Sequence, residues 1–263
     1  MNKKFRNSLL SIGLIVSLVA CQPALLPAVP PTATIPTGLP VSYHGVSFEI
    51  PLELSASADG SLSTDIEFPY IYPEGDPMAE HVVFQLKDYP VKSPREARIM
   101  VFNASEYASY GQILQEAVTS LAAGQDTLEP LPRPLVQGEF YAQAKPITFK
   151  NGHGVRYLTQ VLTDFGPINN EGLFYYFQGI TADGAYFISV IFAVNAGFLV
   201  ANGHPEAVTP PEGVPFDWQG SFEDFPPYLS AVTLKLNDTP AEGYTPSLLA
   251  LDRLIGSIQV SNP

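Results

Sequence analysis

The sequence is short of the residues that most often carry chemistry. One cysteine, Cys21, in 263 residues excludes a disulfide framework and any zinc site built from thiolates. Positive charge is scarce: 13 Lys and Arg stand against 26 Asp and Glu, for a formal net charge of -13. Three of those bases, Lys3, Lys4 and Arg6, crowd into the first six residues. A surface that acidic repels a phosphate backbone, so nucleic acid is excluded as a partner. The apolar run Leu9–Val19 stops well short of the about 20 residues of a membrane-spanning helix. There is no GxSxG, HExxH, Walker or dinucleotide-binding glycine pattern, and Asp59-Gly60 reads as a polar turn with no D-x-D-x-D-G loop around it. The four histidines, His44, His81, His153 and His204, are never spaced i, i+2 or i, i+4, so no metal and no cofactor is implied. What remains is 46% hydrophobic, too apolar for a disordered chain.

The N-terminus reads as an address. A basic start, an apolar stretch of the right length and a small residue before the cut make a secretory signal peptide. The tetrad Leu18-Val19-Ala20-Cys21 resembles the lipobox of bacterial lipoproteins. The resemblance implies cleavage before Cys21 and lipidation of its thiol by a diacylglyceryl group, with acylation (palmitate or a similar chain) of the new amine. One acyl chain holds a protein marginally and two hold it stably, so Cys21 is expected to be an anchor to the cell membrane or outer membrane, outside the cytoplasm. Gln22–Pro40 carries six prolines and no charge and should run as an extended tether, reaching up to about 60 Å. The expected division is therefore a leader over 1–20, a tether over 21–40 and one globular domain over 41–263.

Within that domain, Val46, Phe48 and Ile50 alternate with Ser47 and Glu49 as in a half-buried strand. His81–Leu86 and Ala97–Phe102 read as two more strands. Asn103 with Glu106 suits a helix start, and Ile113, Leu114, Ala117, Val118 and Leu121 give helical spacing up to Gly124. Two hairpins follow. Asn151-Gly152 is expected to join Ala144–Lys150 to His153–Leu162, and Asp183-Gly184 to join Leu173–Ala182 to Ala185–Val194, both as type I′ turns. The second turn predicts the pairs Tyr176 with Ile191, Gln178 with Ser189 and Phe177 with Val190. Both of its faces are apolar, so either both are covered or one carries a binding surface, and a hairpin covered on both faces is the expected arrangement. Asn195–Pro227 loses periodicity and reads as a long loop, Tyr228–Leu236 as a short helix, and Thr245-Pro246 as the start of a helix to Ile255 before a last strand, Ser257–Val260. The fold class is α+β: a mainly antiparallel sheet of about six or seven strands, with two or three helices packed on it and the Gly111–Ala123 and Pro246–Ile255 helices on one face.

Three residues stand out as candidate ligand contacts. Arg156 shares a strand face with Leu158, Gln160 and Leu162; it suits a carboxylate or phosphate, although pairing with a neighbouring acid is the commoner use. Gln160 lies on that same face. Trp218, the lone tryptophan, sits among acids and aromatics in the long loop, where it can stack on a ligand or plug the loop onto the core. Asp217, Glu223 and Asp224 could serve Ca²⁺ or remain a solvated acidic loop. No catalytic residue can be named.

The segments FKNGHGVRYLTQ (Phe149–Gln160), PINN (Pro167–Asn170) and FYYFQGITADGAYFISV (Phe174–Val190) resemble uncharacterised bacterial lipoproteins and related exported proteins. The opening strand and the closing LDRLIGSIQV resemble the Mog1/PsbP-type α+β sandwich. Neither resemblance brings a functional residue with it. The expectation is a non-enzymatic, lipid-anchored envelope protein that binds a small molecule or scaffolds an envelope protein. The alternatives are an extracytoplasmic carboxylate-dependent hydrolase, Ca-assisted or not, and a purely structural protein.

Overall fold

The apolar alternation of Val46, Phe48 and Ile50 forms a strand, as its period demands, with all three side chains buried. The computed structural model describes residues 38–64, 80–94, 96–124, 141–162 and 166–262. They fall within one of two compact units, Pro36–Pro263. The leader, Cys21 and the tether up to residue 37 lie outside the described residues.

The chain opens with β1 (Gly38–Tyr43), β2 (Val46–Pro51), β3 (Ser57–Ser63), β4 (His81–Lys87) and β5 (Arg98–Asn103). The helices α1 (Ala104–Ser109) and α2 (Gln112–Ala122) come next. A meander follows: β6 (Ala142–Phe149), β7 (Gly152–Thr159), β8 (Phe174–Thr181) and β9 (Tyr186–Ala193). The remainder is β10 (Asn195–Ala196), α3 (Phe225–Asp238), β11 (Tyr244–Thr245), α4 (Leu248–Gly256) and β12 (Gln259–Val260). Seven strands form one antiparallel sheet in the order β3-β4-β5-β9-β8-β7-β6, with smaller sheets β1-β2-β12 and β10-β11. The class is α+β. Strand β1 begins inside the stretch read as tether, because Gly38, Leu39 and Pro40 pair with Pro51, Ile50 and Glu49.

Strands β8 and β9 are buried on both faces, the expected one of the two arrangements. Tyr175, Phe177, Val190 and Phe192 enter one core with α3, α4 and the β1-β2-β12 sheet. Phe174, Tyr176, Ile180, Phe187 and Ile191 enter a second with α1 and with Leu114, Ala117 and Leu121 of α2. This corrects the expectation that α2 and α4 share a face: they lie on opposite faces, because each apolar face of the central hairpin needs its own cover.

Several local readings also shift. The β8–β9 register is the expected one, Tyr176 with Ile191, Phe177 with Val190 and Gln178 with Ser189, but only Gly184 takes a positive φ, at 72°. Its N–H closes the turn on the Thr181 carbonyl at 2.8 Å, so the turn is not type I′. In the first hairpin the central residues are Lys150 and Asn151, and Gly152 pairs with Phe149. Gly152 is there for space rather than a turn: a Cβ on it would stand 2.2 Å from the Phe149 ring and 2.3 Å from the Ile180 carbonyl. Asn151 exchanges hydrogen bonds with the Val260 backbone at 2.6 and 3.1 Å, which docks β12. Asp59-Gly60, read as a turn, lies inside β3 with Gly60 opposite Phe84; the Tyr43 ring occupies the place of the missing side chain. Asn103 caps α1, its Oδ1 accepting from the N–H of Ser105 and Glu106. Ser247, not Thr245, caps α4, because Tyr244 and Thr245 are taken into β11 opposite Ala196 and Asn195.

Candidate ligand-binding groove

Arg156 is a strut. It is 3% exposed, and its guanidinium lies 3.2 Å from Asp252 Oδ1, donates to the Gln143 carbonyl and sits 5.9 Å from the Tyr175 ring centroid. Asp252, on α4, also accepts from the Tyr175 hydroxyl at 3.1 Å and from Lys145 Nζ at 3.0 Å. Burial first, and then the Asp252 charge, push the Tyr175 phenol well above its ordinary range. The register shift between Ala142 and Lys145 in β6 puts Gln143 at φ 55°. Its side chain then donates to the Leu236 and Thr239 carbonyls, at 2.9 and 2.8 Å. Arg156 thus ties β7 to α4 directly and to the end of α3 through Gln143, and its Nε and Nη1 donors are spent on the protein itself.

Gln160 is buried, and its amide is spent as well. It donates to the Pro167 carbonyl at 3.3 Å and accepts from the Asn169 N–H at 2.9 Å. Trp218, 37% exposed, meets Phe216 edge to face at 5.0 Å. Phe216 in turn packs on Phe225 and Tyr228. The Tyr228 hydroxyl accepts from the Ile168 N–H at 3.0 Å, and burial pushes that phenol up to about 12. Trp218 therefore belongs to an aromatic plug that fastens the long loop to the core. The loop acids are likewise engaged: Asp224 accepts from the Ser221 N–H and hydroxyl, which lowers its pKa, and Asp217 accepts from the Gln219 N–H at 2.9 Å. Among the described residues no cluster of His, Cys, Asp or Glu can hold a metal ion. His153 is half-buried and meets the Leu121 carbonyl at the end of α2, at 3.0 Å.

The groove lies elsewhere. An open depression of about 590 Å³ is lined by Lys92, Ser93, Pro94, Asn170, Glu171, Asn195, Ala201 and Asn202. These come from three connections: β4 to β5, β7 to β8, and the chain beyond β9. Backbone bonds fix its wall, from Asn170 N–H to the Val200 carbonyl at 2.9 Å and from Glu171 N–H to the Ala201 carbonyl at 3.1 Å. The Asn170 side chain donates to the Leu199 carbonyl and accepts from the Ala196 N–H at 2.8 Å. Behind the wall stand Asn169, bonded to Pro167 and Gly172, and Gln160. The sequence candidate Gln160 thus supports the groove without lining it, and Arg156 and Trp218 are not among its lining residues.

One atom in this groove is out of balance. Asn195 Oδ1 is buried and has no hydrogen-bond partner, a costly condition for an amide oxygen. Its backbone is fixed by pairing with Thr245, which keeps the residue in the groove lining. Lys92 and Glu171 add one charge of each sign. Sequence reasoning did not single out these residues; the signal present was the start of the aperiodic stretch at Asn195, since loop residues carry sites more often than strands do. No protein-family model, curated protein or solved structure matches this chain.

Proposed function

We propose that this chain is a lipid-anchored, extracytoplasmic binding module of the bacterial cell envelope, and that the groove between the 92–94, 170–171 and 195–202 segments receives a small polar ligand. The anchoring half rests on Leu18-Val19-Ala20-Cys21 and the leader before it. The binding half is carried by one observation, the buried and unpartnered Asn195 Oδ1 at a preformed groove. That oxygen is shielded from solvent, so a ligand N–H or O–H reaches it only when the Asn195 side chain turns toward the groove, a rotation about its own side-chain bonds with the surrounding backbone already held. Among the described residues no helix is long and apolar enough to cross a membrane, and a thioether-linked lipid at Cys21 needs none.

Two measurements test the two halves. Replacing Cys21 by Ala should release the chain from the membrane fraction and abolish labelling with a radioactive fatty acid; unchanged retention removes the anchor from this reading. A thermal-shift screen of the full chain against defined small polar compounds should find stabilisers whose effect disappears in Asn195→Leu. One specific observation favours a carboxylate-dependent hydrolase instead: Glu80 and Glu106 line the same 280 Å³ depression, beside His44 and His81. Both carboxylates are exposed, so neither has the burial that would set an acid apart from a base. Loss of a glycosidase or esterase activity in Glu80→Gln or Glu106→Gln would establish that reading.

A further inference from the structure

We infer that the ligand of this groove is a small zwitterion of the amino-acid or short-peptide class, with its carboxylate against Lys92 and its ammonium against Glu171 and Asn195 Oδ1. The inference rests on the groove being the binding site. Lys92 and Glu171 line one depression, yet among the described residues neither makes an ion pair with the other or with anything else. Opposite charges that face one cavity without meeting are set for a ligand that spans them. A simple anion would meet Glu171 and a simple cation would meet Lys92, so a singly charged ligand is opposed by one wall. The shielded, unpartnered acceptor Asn195 Oδ1 calls for a donor, and once its side chain turns into the groove an ammonium beside Glu171 supplies one with charge assistance.

The remaining lining agrees. Among the described residues it contains no aromatic ring, the stacking platform that sugars and nucleobases commonly use. Among the described residues its apolar contribution is Pro94 and Ala201, enough for a modest side chain. Asn202 Oδ1 accepts from the His204 N–H at 3.1 Å, which leaves its amide N–H₂ for a carboxylate or a peptide carbonyl. A volume of about 590 Å³ holds an amino acid or a di- or tripeptide within the usual range for small-molecule sites.

The test is calorimetric titration of the full chain in detergent with the free L-amino acids and alanyl-alanine. N-acetyl-alanine, alaninamide and glucose serve as comparison compounds. We expect at least one zwitterion to bind, with the acetylated and amidated forms weaker by tenfold or more. Lys92→Gln and Glu171→Gln, both exposed positions, should each weaken the zwitterion at least threefold while the circular dichroism spectrum stays unchanged. Binding of glucose or of a single-charge compound, with every zwitterion inert, overturns this ligand class and leaves the groove reading standing. Zwitterion binding indifferent to both charge variants also overturns it. If no compound binds and Asn195→Leu changes nothing, the inference and the groove reading fall together.

Discussion

Two polar regions of this molecule invite comparison: the Arg156–Asp252 cluster between sheet and helices, and the Asn195 groove at the loop end. In the first, every strong group has an answer. Arg156 meets Asp252 and Gln143, and Asp252 meets Tyr175 and Lys145 as well. In the second, an amide oxygen and two opposite charges are left unanswered among the described residues. Satisfied networks hold a fold together and have nothing left to offer a ligand, while unsatisfied ones cost stability and retain the capacity to bind. Arginine on a strand face is eye-catching in a sequence, but burial with a matched acid turns it inward.

Breaking the closed cluster should have the largest effect. Asp252→Asn leaves Arg156 buried without its counter-ion and should cost about 3–5 kcal/mol in urea or guanidinium unfolding. Replacing Arg156 by Met and Asp252 by Leu together should recover most of that loss. The aromatic plug gives the next effect, at alkaline pH. Tyr228 loses its proton near 10 when unfolded and at about 12 when folded. Between those values the unfolded chain binds fewer protons, so stability is intact below pH 10 and falls as the pH rises toward 12. The loss attributable to Tyr228 should be on the order of 2–3 kcal/mol, and Tyr228→Phe should flatten the slope of unfolding free energy against pH over that interval.

Opening the comparison from the other side gives smaller numbers of opposite sign. Asn195→Leu removes an unsatisfied buried acceptor and should raise the unfolding free energy by about 1 kcal/mol while abolishing ligand-induced thermal shifts. A destabilised Asn195→Leu protein would mean that the oxygen already has a partner, and the contrast between the two regions would vanish. Lys92→Gln should be the mildest of the series, within about 0.5 kcal/mol of the parent, with its effect confined to ligand affinity.

Much of the sheet was legible in the sequence, because the central hairpin carries its own register. A tight turn at Asp183-Gly184 fixes which residues face each other even though the turn type differs from the one expected. The helix at Gln112–Ala122 was legible from its apolar spacing. What misled were residues whose local preference lost to a distant contact. Asp59-Gly60 became strand because Tyr43 needed the space above Gly60, and Asn151 spends its side chain on Val260 at the far end of the chain. The long loop hid the extension of α3 back to Phe225, since its two prolines at the first turn look like breakers and act as starters. The groove was the least legible feature. Lys92, Glu171 and Asn195 are far apart in sequence, and no period or motif links them until three connections meet.

The sheet order has a kinetic consequence. Strands β6 to β9 close on one another in sequence order, as do β3 to β5. Within the sheet the two halves join along the β5–β9 seam, from Arg98 opposite Ile191 to Asn103 opposite Tyr186. Each half can condense from neighbouring segments, while the seam between β5 and β9 must wait for a long stretch of chain to close. During synthesis the first half emerges with its Ile99–Val101 edge bare until β9 follows, which makes that edge the segment most in need of protection from foreign strands. Pulse-labelled hydrogen exchange should find the amides of β7 and β8 guarded before those of β5.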